Sequence, residues 1–128
     1  MTTTQADTAT TIEVVTRFEN NFNTHDADVV MQDMTDDAVF EHIAAEGKSI
    51  GRFEGREAVH AAFASLPEHF PNYELEMTDI VANGDRCAVQ WAIRWDLPDG
   101  GRGELKGADF FRMRGDKIRE KLSYLPLD

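Results

Sequence analysis

The chain has 128 residues, the length of one domain with one sizeable core and too short for two. Its 24 acidic residues outnumber 13 basic ones, and the formal net charge of −11 argues against nucleic acid and anionic membrane surfaces as partners through simple repulsion. The single cysteine, Cys87, excludes an intramolecular disulfide and a thiolate metal site. With the polar opening MTTTQAD, and no apolar run long enough for a bilayer, it leads us to expect a cytoplasmic protein.

Residues 1–9 are Thr-rich and read as a flexible tail, leaving 10–128 as a single domain. From Thr10, the positions Ile12, Val15, Phe18 and Phe22 recur at helical spacing and define one apolar face. Asp26 is a good N-cap for a second, short helix with Val29, Val30 and Met34 on its apolar side. AVFEHIA then alternates as a strand, with Phe40 and His42 on one face and Val39, Glu41 and Ile43 on the other. EGKSIGRFEG reads as a glycine-rich loop, and GREAVHAAFASLPEHF as a third helix that Pro67 and Pro71 end.

Everything after Asn72 reads as strands. NYELEMTDIVANGD runs to an Asn83-Gly84-Asp85 turn. RCAVQWAIRWDL places Cys87, Val89, Trp91, Ile93 and Trp95 on one face. ELKGADFFRMR and KIREKLSYLPL follow, joined through Gly115-Asp116. Helices first and antiparallel strands after define an α+β domain, three helices on a sheet. Both sheet faces carry apolar residues, so both need cover; we expect helices on one and a second copy of the chain on the other, a homodimer through the outer sheet face.

No phosphate loop, nucleophile elbow or metal-spaced histidine pair is present, and no cofactor is implied. Two ionisable residues stand in apolar strand contexts. His42 shares a face with Phe40, and reads either as a satisfied core histidine or as a functional base. Asp109, beside Phe110 and Phe111, either faces solvent or is buried for a reason, since burial without a partner is costly. A buried carboxyl of that kind has a raised pKa and serves as a neutral hydrogen-bond donor. Cys87 reads as a small buried hydrophobe in preference to a reactive thiol. His60 reads as a surface residue in preference to one at a pocket mouth, and Glu120 either faces inward with Leu122 or lies on an edge, the reading that Lys121 and Arg119 beside it favour.

VVTRFENNFNTHDADVVMQDMTDDAVFEH, followed much later by ADFFRMRGDKI, resembles the nuclear transport factor 2-like superfamily, over about Thr10 to Leu125. Its members include ketosteroid isomerases and SnoaL-like polyketide cyclases. The resemblance implies a cone-shaped pocket between a strongly curved, mainly antiparallel sheet and three helices, holding a small apolar molecule. It puts His42 where an isomerase has its aspartate base, Asp109 at the second oxyanion donor, and Phe18 where the first donor is a tyrosine. A phenyl ring donates no hydrogen bond, so steroid-type enolisation is disfavoured. His42 and Asp109 are then the candidate acid–base pair of an isomerase, cyclase or dehydratase. Phe18, Phe40, Phe63, Trp91, Ile93, Trp95 and Met113 are the expected substrate-binding residues. A non-catalytic ligand-binding or dimerisation module on the same fold stays open, because this fold hosts all three.

Overall fold

Helix α1 (Thr8–Asn21) starts where Asp7 caps it, the carboxylate accepting a hydrogen bond from the backbone N–H of Thr10 at 2.7 Å. The expected tail over 1–9 is therefore too long at its C-terminal end. The structure, a computed structural model, describes residues 7–126, and the rest of that tail lies outside them. The buried face of α1 carries Thr11, Val14, Val15, Phe18 and Glu19, so Ile12 sits at its margin. Thr11 and Thr8 fasten this helix to a distant hairpin: Thr11 Oγ1 donates to the Gly84 carbonyl at 2.6 Å, and the Gly84 N–H donates to Thr8 Oγ1 at 2.9 Å. Gly84 supplies the positive φ of 62° that the turn needs.

Asp26 caps the short helix α2 (Ala27–Met31) as expected, and Met34 already belongs to the first strand. Helix α3 (Arg56–Ala64) begins at Gly55, with φ 89°, and is followed by a single turn, α4 (Leu66–His69). Pro67 lies in the first turn of α4. It opens that turn, where its missing N–H costs nothing, and does not end α3.

Six strands form one sheet: β1 (Met34–Ile43), β2 (Ser49–Glu54), β3 (Glu74–Asn83), β4 (Arg86–Asp96), β5 (Arg102–Arg114) and β6 (Lys117–Tyr124), in the order β2-β1-β6-β5-β4-β3. Every neighbouring pair is antiparallel except β1 with β6. The sheet curls without closing, and the helices lie against its concave side, α1 over β3 and α3 over β1. The α+β expectation holds.

Two local expectations fail for one reason, long-range pairing. The stretch read as a loop contains β2, an edge strand whose glycine and charges show no apolar alternation because it pairs only with β1. Strand β6 is not an edge: it lies between β1 and β5, at the middle of the sheet. Its register slips opposite Arg112 and Met113, which pair with Glu120 and Ile118 and leave Arg119 as the extra residue. That bulge resets the alternation, so Lys121 and Ser123 turn inward with Ile118, and Glu120 and Leu122 do not.

The narrow end of the cone is filled by phenylalanines. Phe18 meets Phe22, Phe63 and Phe111 edge-on at centroid distances of 5.2, 6.0 and 5.7 Å. Each fully buried ring contributes about 1.5–3 kcal/mol of hydrophobic stabilisation.

Candidate functional site

The register of the sheet lines up the inward-facing residues in rows. One row runs Ile80, Val89, Asp109, Ser123 and His42 across β3, β4, β5, β6 and β1. The next runs Ala82, Cys87, Phe111, Lys121 and Phe40. His42 and Asp109 therefore face the same space, with Ser123 between them. Above these rows, towards the open end, come Trp91 and then Ile93 with Leu105. Gly107, opposite Trp91, lets the indole lie flat over β5; a Cβ there would come within 2.5 Å of the ring.

Together with α1, α3 and α4, these strands enclose a cavity of about 690 Å³, suited to a drug-sized ligand. Of the residues expected to line it, His42, Asp109, Phe40, Phe63, Trp91 and Ile93 do so. Three others do not. Phe18 is wholly buried among the phenylalanines of the narrow end, beneath the cavity. Met113 is buried further along β5, paired with Ile118. Trp95 lies at the rim, its ring edge-on to Phe70 at 4.8 Å and covering Gly103. Alternation gave all three the correct face of their element, but not their height along the cone.

The polar chemistry is concentrated in a cluster deep in the cavity. Asp109 is buried at 2 % exposure, so it does not face solvent. Ser123 Oγ donates to Asp109 Oδ1 at 2.7 Å and accepts from Lys121 Nζ at 2.7 Å, while Lys121 Nζ stands 3.5 Å from Asp109 Oδ2. The ammonium also lies over the ring of Phe40, 4.4 Å from its centroid, with Phe22 and Phe63 at 5.5 and 5.7 Å.

Glu19, from the buried face of α1, adds a second carboxyl. It is 1 % exposed, and neither oxygen has a hydrogen-bond donor among the described residues. Burial first, and then the adjacent Asp109 carboxylate, push its pKa well above the ordinary range, with Lys121 opposing. Ionised, Glu19 would confront Asp109 with no proton between them; protonated, its hydroxyl has Asp109 to donate to. Glu19 is thus the carboxyl of this site that burial and its acidic neighbour drive towards the neutral form.

His42 makes no hydrogen bond to Asp109. Burial, and next the Lys121 ammonium, lower its pKa from 6.5 to about 4, against the pull of Asp109. It is a neutral imidazole at physiological pH, half-buried in the cavity wall. The indole Nε1 of Trp91, a residue that also lines the cavity, is buried with no hydrogen-bond partner among the described residues. Among the described residues, no group of three or more His, Cys, Asp and Glu side chains is arranged to hold a metal ion. No helix among them is long and apolar enough to cross a membrane.

Sequence reasoning passed over Glu19 and Lys121. Glu19 was legible, since it follows Val15 by four residues and falls on the apolar face of α1. Lys121 was not, because only the bulge in β6 turns it inward. Cys87 is buried, with its thiol pushed up to about 11 mainly by burial, as expected of a structural residue. His60 pairs with Asp28 at 2.8 Å, and His69 is the histidine at the mouth.

Helices packed on a curled, mainly antiparallel sheet, with a buried ionisable cluster beneath an apolar cavity, define an α+β domain of cystatin-like or NTF2-like fold. The model of the SnoaL-like domain matches residues 15–121, and the chain belongs to that family. No curated protein matches the chain. Solved structures share the fold. A putative SnoaL-like polyketide cyclase from Jannaschia sp. CCS1 is 20% identical with a TM-score of 0.73, covering 96% of this chain and 90% of its own. AclR, a putative hydroxylase from Streptomyces galilaeus, is 17% identical with a TM-score of 0.76, covering 94% and 81%. TerC, co-crystallised with polyporic acid, is 19% identical with a TM-score of 0.75, covering 91% of each chain.

Proposed function

We propose that the protein is a cofactor-independent enzyme acting on a small, largely apolar carbonyl or polyketide-like substrate, by acid–base chemistry at His42. The observation that carries this reading is a neutral imidazole in the wall of an apolar cavity, beside a buried polar cluster. A neutral imidazole is ready to accept a proton without first losing one. In the proposed step, His42 takes the proton α to the carbonyl, the C–H pair becomes the new C=C bond, and the carbonyl π pair moves onto oxygen. If the imidazolium proton exchanges with solvent before it returns to the same carbon, the outcome is isotope exchange; its delivery to another carbon gives isomerisation, and to a leaving hydroxyl, which departs as water, dehydration. Asp109 acts through Ser123 and Lys121, fixing the charge of the cluster, and does not orient His42 directly. Two fold relatives, a putative SnoaL-like polyketide cyclase and TerC, which was co-crystallised with polyporic acid, are consistent with such a substrate.

The test needs no knowledge of the natural substrate. Deuterium exchange at the α-carbon of 2-tetralone, an apolar enolisable ketone, is followed by NMR in D2O. We expect the protein to accelerate exchange and His42→Ala to slow it by about 10²–10⁴-fold. Exchange at the buffer rate with the unaltered protein, alongside binding of the ketone, would favour a non-catalytic binding module. For assembly, we propose a homodimer through the outer sheet face, where Val81 and Phe110 lie in one cross-strand row and Tyr124 in the next, all exposed.

A further inference from the structure

The geometry points to Lys121 as the oxyanion-binding group of the cavity, which makes the preferred ligand an apolar ketone that reacts through its enolate, or a phenol bound as its anion. This inference rests on the acid–base reading above and supplies the half of the reaction which that reading leaves unassigned.

Enolisation needs a base and an electrophile acting on one carbonyl. The phenol that the resemblance would put at position 18 is absent. Phe18 lies beneath the cavity, so no hydroxyl from that position reaches a ligand. Lys121 is the only lysine or arginine among the described residues that line the cavity. Its side chain is 8 % exposed. Of its three N–H bonds, Ser123 takes one at 2.7 Å; the Asp109 contact, at 3.5 Å, is long for a charge-assisted hydrogen bond. Three phenyl faces also surround it, which attract a cation but accept no ordinary hydrogen bond, and the Glu19 carboxyl is near enough to feel its charge.

The cation and the base are close. Lys121 pairs across the sheet with Phe40, and Ser123, two residues on, pairs with His42. An ammonium and an imidazole on one inward face of adjacent strands bracket one side of the cavity, as an electrophile and a base must bracket a carbonyl carbon and its neighbour. Removal of the α-proton by His42 leaves the negative charge on the substrate oxygen, beside the Lys121 ammonium, and no other reactant is needed.

A structural ion pair explains the cluster less well. Burying an ammonium and a carboxylate costs several kcal/mol per ion, and well-packed apolar residues often serve stability as well or better. A third ionisable group, Glu19, enlarges that cost. At the floor of an apolar cavity, such a cluster gains a use when a polar ligand atom meets it.

The experiment uses 2-naphthol, the aromatic counterpart of the 2-tetralone enol, at a pH well below the free phenol's own pKa. Absorbance and fluorescence-excitation spectra distinguish bound naphthol from bound naphtholate in the ground state. We expect the unaltered protein to raise the ratio of naphtholate to naphthol by about 10- to 1,000-fold over that in solution, as an opposite charge at contact distance does. Lys121→Met should abolish this increase. Because Lys121→Met strands Asp109, the paired Lys121→Met/Asp109→Asn protein, in which neither charge remains, provides a folded control and should bind only neutral naphthol. His42→Ala should keep the naphtholate preference while losing ketone exchange. Binding of 2-naphthol only as the neutral phenol by the unaltered protein would overturn the inference. So would undiminished naphtholate binding by the paired variant, or its loss in His42→Ala. Failure of 2-tetralone exchange alone would count against the acid–base reading and leave the oxyanion site standing.

Discussion

The two faces of the sheet invert the usual arrangement of a soluble domain. The concave face buries three ionisable side chains, Glu19 from α1 and Asp109 and Lys121 from β5 and β6, and tunes a fourth, His42. The convex face exposes Val81, Phe110 and Tyr124, at 62, 47 and 40 %. Buried charge is costly and is kept where chemistry uses it. Exposed apolar surface invites a partner. The chemistry proposed above lies on the inner face and the assembly proposed above on the outer one, and each can be broken separately.

The largest effect is expected in the inner cluster. Lys121→Met alone leaves a buried carboxylate unpaired and should cost about 3–5 kcal/mol of stability in urea unfolding. Removing both partners, in Lys121→Met/Asp109→Asn, should recover most of that loss. Equal losses in the single and paired variants would mean that packing, not charge, holds the cluster. On the outer face, Phe110→Glu should convert a homodimer to a monomer in analytical ultracentrifugation, with the fold unchanged by circular dichroism. A protein already monomeric before substitution would leave the exposed row without its partner.

Two smaller predictions use pH, and their signs are opposite. The Glu19 pKa is raised on folding, so its contribution is fully present below the ordinary value of 4.5 and is lost as pH rises. Glu19→Gln needs no proton and should gain in melting temperature, relative to the unaltered protein, as pH is raised above that value. The pKa of His42 is lowered from 6.5 to about 4, so its contribution is present above pH 6.5 and is lost as pH falls towards 4. In the same window, His42→Asn should lose less stability than the unaltered protein on acidification. The acid limb of ketone exchange should likewise fall near pH 4, not near the value of a free imidazole. The smallest effect belongs to the exposed pairs of Arg94 with Glu104 and Glu76 at 2.8 and 3.5 Å. Arg94→Ala should leave the urea midpoint within error, because solvent and salt screen such pairs.

The sequence by itself determined which elements form and which way most of them face. Periodicity is local, and Phe40 with His42, or Cys87 through Ile93, needed only strand alternation to be put on one side. It also contained Glu19, readable four residues after Val15. Tertiary structure alone decided the centre of the site. The parallel pairing of β1 with β6 joins segments far apart in sequence, and it makes a charged strand the middle of the sheet. The Arg119 bulge then selects Lys121 and Ser123 as inward residues, against the alternation that Ile118 begins. Height along the cone was equally hidden: Phe18, Met113 and Trp95 lie on the correct faces, yet below or beyond the cavity. Which rows frame the opening depends on the curl of the sheet, which arises from the summed twist of six paired strands and leaves no mark on any one of them.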